Sequence, residues 1–256
     1  MLGLGNSLTG GGGGVQSLIP SEISGLDLHL KFNTGIAGAS NTTAAGNMSN
    51  LEVIHSWADQ SGKARHALQT TDDHRPLWTD ATTDISFDGN DDHFDLAQYS
   101  SANIEIPVNT DFTIMIRHKF PNFSGSYALI GHGGSDVLKV NDNTNITVKL
   151  SSTARNFVEE GGLTLATDVY YIFTLVRSGG GDGDIKIYVH GGAYSDKSWD
   201  DDEAPQDADD FTLSNIGASA DGNLNPIGFM RDVIVWNGTA LNAPQRADMY
   251  SYINAQ

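Results

Sequence analysis

Short runs of alternating apolar and polar residues, separated by turns rich in glycine and aspartate, dominate this 256-residue chain. The run from Ile85 to Leu96 shows the pattern in its most compact form. Ile85 and Phe87 alternate with polar neighbours, Asp88-Gly-Asn-Asp91 carries turn chemistry, and Phe94 resumes the alternation. Because a period of two is typical of strands with one buried face, this run predicts a hairpin of two strands and a tight turn.

Strand-like segments of the same kind fill most of the chain, with turns between nearly all of them. They are Leu26–Phe32, Leu51–Trp57, Asp84–Phe87, His93–Leu96, Phe112–Phe120, Tyr127–Ile130, Val137–Val140, Ile146–Leu150, Val169–Val176, Ile185–Val189, Phe211–Ile216 and Ile227–Trp236. About a dozen strands joined in this way predict an all-β, two-sheet antiparallel sandwich. The segments 112–120 and 170–177 are apolar on both faces, which predicts central strands.

The C-terminus is the one region with a helical pattern. Asn242 and Gln245 have the spacing of a capping box, and Pro244 falls in the first turn, where its missing N–H is tolerated. The sequence therefore predicts a short C-terminal helix in which Ala243, Ala247, Tyr250 and Ile253 can share a face and which closes one end of the sandwich.

Residues 1–20 differ from the rest of the chain and predict a flexible N-terminal arm ahead of a sandwich of residues 21–256. The unbroken glycines 10–14 have no side chains to bury and behave as a tether. Leu2, Leu4 and Leu8 precede the glycines, so the arm could dock apolar anchors in a groove of a partner protein. The alternative is a disordered tether without a docking role.

Composition narrows the possible partners. The net charge is −18, from 32 acidic and 14 basic residues, and a polyanion such as nucleic acid would be repelled. Cysteine is absent, which excludes disulfides and thiolate metal sites. No apolar run approaches the ~20 residues of a membrane span, and the start lacks the basic-then-apolar order of a secretion signal. We therefore expect a protein made in the cytoplasm without membrane insertion.

Four segments in order carry a resemblance to a known superfamily. They are Trp57-Ala-Asp-Gln-Ser-Gly-Lys-Ala-Arg-His-Ala-Leu-Gln69, Ile85 to Leu96, Ile185-Lys-Ile-Tyr-Val-His-Gly191, and Ile216-Gly217 followed by residues 228–241. Together they resemble the LamG-like, concanavalin A-like jelly-roll superfamily over about residues 24–256. The resemblance implies a jelly-roll sandwich and leaves the function open.

The aromatic and acidic residues of these segments have structural explanations. Trp57, Phe87, Phe229 and Trp236 lie in strand patterns, so we expect them in the core. Asp59 and Asp88 lie in turns, where an aspartate side chain accepts hydrogen bonds from nearby backbone amides.

Catalytic chemistry is poorly supported by the sequence. The superfamily includes glycoside hydrolases, which need two carboxylates on one surface. The glucanase-like pattern Glu-x-Asp-x-x-Glu is absent, and the adjacent Glu159 and Glu160 would point to opposite faces of a strand. There is no Gly-x-Ser-x-Gly nucleophile elbow, and the histidines lack zinc-site spacing. We expect a protein that is not an enzyme, with a polysaccharide hydrolase as an alternative.

The acidic segment after Gly191 holds the candidate binding residues. Tyr194, Trp199 and Asp200 combine aromatic rings with a carboxylate in a predicted loop, which favours carbohydrate binding. The alternative is that the two rings cover the rim of the sandwich. Oxygen-rich loops also hold Ca²⁺, the one cofactor that we consider. Its predicted ligands are Asp201, Asp202, Asp207 and Asp209, and the alternative there is a solvated acidic loop.

A LamG-like sandwich with a glycine tether and no catalytic set resembles virion proteins of tailed bacteriophages. The resemblance implies a capsid-decorating or tail-associated adhesion protein, docked through its N-terminal arm or a sandwich edge and located on the virion after assembly in the host cytoplasm. Its partners would be other capsid or tail proteins, further copies of itself and host-surface glycans, with many copies giving avidity. The alternative binding function is a carbohydrate-binding module that acts alone.

Overall fold

The structure is a computed structural model of the chain. It describes residues 18–38, 48–79, 84–96, 103–150, 153–158, 163–179, 184–200, 210–219 and 224–256, with the backbone alone for 153–158, 184 and 199–200. Two antiparallel sheets face each other across an apolar core, which confirms the predicted all-β sandwich.

The strands divide between the sheets as follows. The first sheet has the spatial order β16 (Tyr194–Asp200), β15 (Asp184–Gly191), β14 (Tyr170–Ser178), β9 (Phe112–Lys119), β19 (Ile227–Asn237), β6 (Asp84–Asp88) and β5 (Leu77–Thr79), and β1 (Leu26–Lys31) pairs with the far half of β19. The second sheet has the order β13 (Thr153–Val158), β12 (Asn145–Leu150), β11 (Asp136–Val140), β10 (Tyr127–His132), β18 (Asn215–Ile216), β7 (Phe94–Asp95), β4 (Ala67–Leu68), β3 (Ile54–Trp57) and β2 (Ile36–Gly38). A separate pair consists of β8 (Ile104–Ile106) and β17 (Phe211–Leu213).

The helical elements are short. Helix α1 spans Ala243–Asn254, and 3₁₀ turns span Pro20–Glu22 and Asp72–His74. The capping box of α1 is confirmed, because the Asn242 side chain accepts from the Gln245 amide and the Gln245 side chain accepts from the Asn242 amide, each at 3.0 Å. Within the described residues, no helix is long and apolar enough to cross a bilayer.

The run from Ile85 to Leu96 is not a hairpin, although both of its strands exist. β6 belongs to the first sheet and β7 to the second, so the turn carries the chain across the sandwich. Phe87 and Phe94 meet edge to face in the inter-sheet core, with ring centroids 6.2 Å apart. The prediction was wrong because alternation reveals which face of a strand is buried and does not reveal its partner strand.

The turns of this region have the predicted chemistry. Asp88 Oδ1 accepts from the Asn90 amide at 2.8 Å, and Asp59 accepts from the amides of Ser61 at 2.8 Å and Arg65 at 3.1 Å. Both aspartates therefore serve the framework.

The central strands β9 and β14 bury both faces, as their composition predicts. One face joins the inter-sheet core, and the other joins an outer core beneath α1. This outer core contains Met115, Ile172, Ile234 and Trp236 of the sheet and Leu241, Met249, Tyr250 and Ile253 of the C-terminal segment. The apolar outer face is thus explained by the helix that covers it.

One predicted core position differs in the structure. Helix α1 buries Arg246, Met249, Tyr250 and Ile253, while Ala243 and Ala247 are exposed. Phe229 is only half-buried and lies outside both cores, whereas Trp57, Phe87 and Trp236 are core residues as predicted.

The segment Tyr194–Asp200, predicted as a loop, is the edge strand β16. Its backbone pairs with β15, with Trp199 opposite Ile187 and Asp200 opposite Lys186. The polar run Ser195-Asp-Lys-Ser198 is typical of a loop, yet edge strands also carry charged and polar residues, which discourage pairing with other chains.

Gly228 gives a stability test of the contact between β19 and β9. Its φ is +116°, and a Cβ there would lie 2.1 Å from the Lys119 carbonyl oxygen. Gly62 has a φ of +85° with no atom within 4 Å of a Cβ, so Gly62→Ala adds backbone strain alone. We expect Gly228→Ala to lower the free energy of unfolding by about 1–3 kcal/mol more than Gly62→Ala, because it adds overpacking. Urea unfolding measures both, and equal losses would contradict the contact.

Candidate functional site

A groove of about 400 Å³ lies on the outer face of the first sheet, between helix α1 and the hairpin β15–β16. Its size is within the range of small-molecule sites. Strand β15 contributes His190, strand β16 contributes Ser195 and Asp196, and α1 contributes Ala247, Tyr250, Ser251 and Asn254. The groove forms because α1 packs on the central strands and does not cover the neighbouring edge hairpin β15–β16.

Asp196 of the hairpin forms the hydrogen bonds that join the hairpin to helix α1. Arg246 binds its carboxylate with two nitrogens, Nε at 2.9 Å and Nη2 at 2.7 Å, and the Tyr250 hydroxyl donates to it at 2.6 Å. Burial disfavours the charge of Asp196, but the hydrogen bonds from Arg246 and Tyr250 outweigh burial and hold the pKa of this carboxyl below its ordinary value. Asp196 therefore stays ionised at neutral pH.

Arg246 is fixed from three sides. Besides Asp196, it donates through Nη1 to the Leu241 carbonyl at 2.9 Å, and its guanidinium lies 3.5 Å from the centroid of the Tyr188 ring. A bidentate pair held in this way is pre-organised, and we infer that it fixes the width of the groove.

His190 supplies a flat wall to the groove. Its ring stacks on Tyr250 with centroids 4.3 Å apart and an interplanar angle of 12°. Burial lowers the pKa of His190, against the opposing charge of Asp196, so the imidazole is neutral at neutral pH. Its Nδ1 is buried and makes no hydrogen bond within the described part of the chain.

The mouth of the groove is polar. Ser195, Ser251 and Asn254 are exposed there, and together they offer two hydroxyl groups and one amide to a ligand. The Ser251 hydroxyl donates to the Ala247 carbonyl at 2.9 Å and keeps its acceptor capacity. Such a set suits a ligand with several hydroxyl groups.

Tyr194, a predicted carbohydrate-binding residue, lies next to the groove but packs against the inter-sheet core. Its hydroxyl bonds to the backbone of Thr164, accepting from the amide at 2.6 Å and donating to the carbonyl at 3.2 Å. The side chains of Trp199 and Asp200 lie outside the described residues. The carbohydrate role of these three residues stays a prediction.

Other predicted functional residues fall outside the described parts of the chain. These are the arm anchors Leu2, Leu4 and Leu8 and the predicted Ca²⁺ ligands Asp201, Asp202, Asp207 and Asp209. A docking role for the arm and calcium binding by the acidic segment both stay predictions.

Among the described residues, one cluster of three acidic side chains does form. Carboxylate oxygens of Asp88, Asp91 and Asp92 lie within 4.8 Å of one another. Asp92 is buried and accepts from the Asp88 amide at 2.8 Å, while Asp88 accepts from Asn90. Burial and repulsion from Asp88 raise the pKa of Asp92 to about 7. The raised pKa of Asp92 and the hydrogen bonds of the turn therefore account for this group.

Comparisons with known proteins identify the fold. No known protein family and no curated protein matches the chain. A GH54 α-L-arabinofuranosidase matches with a TM-score of 0.56 at 12% identity over 92% of this chain and 60% of that one. The botulinum neurotoxin serotype G binding domain matches with a TM-score of 0.54 at 12% identity over 90% and 51%. Trypanosoma rangeli sialidase matches with a TM-score of 0.51 at 14% identity over 88% and 32%.

These likenesses show a shared all-β sandwich. The chain spans only about a third of the sialidase, half of the toxin binding domain and three fifths of the arabinofuranosidase. The LamG-like resemblance is thus supported at the level of the fold, and the finer family assignment stays an expectation.

The hydrogen bonds of Asp196 predict a stability that depends on pH. Asp196 has a φ of +55°, which asparagine tolerates, so Asp196→Asn removes charge without adding backbone strain. We expect a loss of roughly 1.5–3 kcal/mol in the free energy of unfolding at pH 7. Because the folded pKa is depressed, this difference should shrink as pH falls below the ordinary aspartate value of about 4.

Urea unfolding at pH 7 and at about pH 3 measures this dependence. Asp168→Asn is the matched control, since Asp168 is exposed and has a φ of +59°. A loss that is the same at both pH values would contradict the role of the Asp196 charge.

Proposed function

We propose that this chain is a non-enzymatic carbohydrate-binding sandwich that holds a sugar in the groove between α1 and β15–β16. The observation that supports this most directly is a groove of about 400 Å³ with hydroxyl, amide and carboxylate groups beside the stacked rings of His190 and Tyr250. Saccharides present alternating hydroxyl groups and C–H faces, which such a lining complements. The glycosidases among proteins of the same fold agree with a saccharide ligand.

The expected affinity of one site is weak. Three or four hydrogen bonds that contribute about 1 kcal/mol each correspond to a dissociation constant of about 1 mM. Binding at that strength becomes useful when many copies act together. A multivalent setting is therefore part of the proposal.

Hydrolysis is the less favoured alternative. A glycosidase needs an acid and a second carboxylate about 5 to 9.5 Å apart, and the acid must be protonated near neutral pH. Asp196 is the one carboxylate among the described residues that line the groove. Its hydrogen bonds lower its pKa, the opposite of what a general acid requires.

In the more specific form of the proposal, the module is a capsid-decorating or tail-associated adhesion protein of a phage particle, attached through its N-terminal arm. The support is the sequence resemblance to tailed-phage virion proteins together with the glycine tether of residues 10–14. Mass spectrometry of purified particles tests this form. We expect the chain among the particle proteins in many copies, and its absence would contradict a virion role.

Filling the groove tests the proposed site. Ala247 is exposed on the groove side of α1, so Ala247→Trp should occupy the space of a sugar and abolish binding to any glycan that the native chain captures on an array. Ala243→Trp is the control, because Ala243 is also exposed on the same helix and does not line the groove. Titration calorimetry with the captured glycan quantifies both variants.

Three results would count against the proposal. Binding that survives Ala247→Trp would place the sugar elsewhere, and an array without any captured glycan would contradict carbohydrate binding. Release of reducing ends from a polysaccharide panel would show an enzyme. In the same experiment, Trp199→Ala tests the predicted role of Trp199, since unchanged binding would exclude that ring from the site.

A further inference from the structure

A cluster of cations surrounds Tyr170 on the outer face of the first sheet, beside the C-terminal end of α1. The distances to the Tyr170 ring centroid are 4.4 Å from the Arg231 guanidinium, 4.7 Å from Lys119 Nζ and 4.9 Å from the Arg117 guanidinium. Lys119 Nζ also lies 4.4 Å from the centroid of Phe229. We call these five residues the Tyr170 patch.

Strand register explains the cluster. Lys119 of β9 lies opposite Phe229 of β19 on one side and Tyr170 of β14 on the other, which makes a row of three across the sheet. Arg231 is the extra residue of a β-bulge, because the pairing with β9 shifts between Met230 and Asp232. Arg231 follows Phe229 by two positions, so its side chain lies on the same face as that of Phe229.

The positive charge of the patch exceeds the negative charge near it. Arg231 is paired with the buried Asp84. Asp232 is also buried there, and burial raises its pKa to about 7 against the opposing charges of Arg117, Arg231 and Lys31. Neither Lys119 nor Arg117 forms an ion pair with any described residue.

One donor of the patch has no hydrogen-bond partner among the described residues. Arg117 Nε is buried and makes no such bond, although Arg117 Nη1 donates to the Ile253 carbonyl at 2.8 Å. Arg117 is 8% exposed. Burial and the hydrogen bond to Asp84 raise the pKa of Tyr170, which keeps its hydroxyl protonated as a donor toward that carboxylate. A buried donor without a partner calls for an acceptor.

An anion is the acceptor that fits this environment. Cation–π contacts leave the ammonium of Lys119 with unused N–H donors, and a negatively charged oxygen would form charge-assisted hydrogen bonds with them. Three clustered cations are also notable in a chain with 14 basic and 32 acidic residues.

The patch and the groove belong to one surface. Ile172 pairs with His190 of the groove on one side and with Arg117 of the patch on the other. His190 and Arg117 are thus two strands apart, or about 10 Å, in one row of the outer face. An oligosaccharide seated against His190 could reach the patch at the end of α1.

We propose that the ligand is an acidic saccharide, with one sugar unit in the groove and an anionic substituent, a carboxylate or a sulfate, bound by Lys119 and Arg117. This inference rests on the proposed function and names the chemical class of its ligand. Lys119 sets the preference for charge, while the groove supplies the binding common to neutral and acidic sugars.

The test compares three oligosaccharides of one backbone, which are a neutral form, a uronate form and a sulfated form. Titration calorimetry measures each against the native chain, Lys119→Met, Lys119→Arg and Lys139→Met. Lys139 lies on β11 of the second sheet and controls for the loss of one positive charge. Thermal unfolding confirms that each variant is folded.

We expect the native chain to bind at least one acidic form about tenfold more tightly than the neutral form, an advantage that weakens as salt is added. Lys119→Met should erase this preference without changing neutral binding, and Lys119→Arg and Lys139→Met should keep it. Preference for the uronate or the sulfate identifies the substituent, and either result supports the inference.

Two results would overturn the preference for an acidic saccharide without contradicting carbohydrate binding. One is equal or tighter binding of the neutral form by the native chain, and the other is a preference that persists in Lys119→Met. The absence of binding by all three forms would instead contradict the proposed carbohydrate function, so the two failures are distinguishable.

Discussion

The docking of helix α1 on the outer face of the first sheet is the contact on which the rest of this surface depends. It covers Met115, Ile172 and Ile234, which would otherwise leave an apolar face in water. The same contact builds one wall of the groove and brings the Ile253 carbonyl to Arg117. Stability and the candidate site thus share one interface, so a change that loosens the helix alters both.

Strand β19 organises the other half of this face through a change of partner. Near its start it pairs with β6, as at Met230 and Ile85, and after the bulge it pairs with β1, as at Asp232 and Lys31. Arg231 lies at this exchange and reaches both Asp84 and the Tyr170 ring. The bulge is therefore the local irregularity that places the consecutive residues Arg231 and Asp232 on the same face as Arg117 and Lys119, whereas a regular strand would alternate the two between faces.

Much of the fold followed from local pattern, and much of the site did not. Alternation of apolar and polar residues located most long strands, and the spacing of Asn242 and Gln245 located the cap of α1. Both signals lie in neighbouring residues, because burial and capping constrain the local sequence. It missed β16, whose polar residues are typical of both loops and edge strands. Asp196 and Arg246 meet across 50 positions of sequence, and neither stands in a motif. Contacts formed by packing of distant elements have no periodicity to detect.

The strong negative charge of the chain is compatible with a site for an anion. Exposed charges are screened beyond about 8–10 Å at physiological salt, so the total of −18 acts mainly on large polyanions that cover much of the surface. A ligand with one anionic group experiences chiefly the charges within that distance. Around Tyr170 these are three cations, with one acid already paired and another partly protonated at neutral pH. The surroundings would then disfavour nucleic acid while the patch accepts a short acidic ligand.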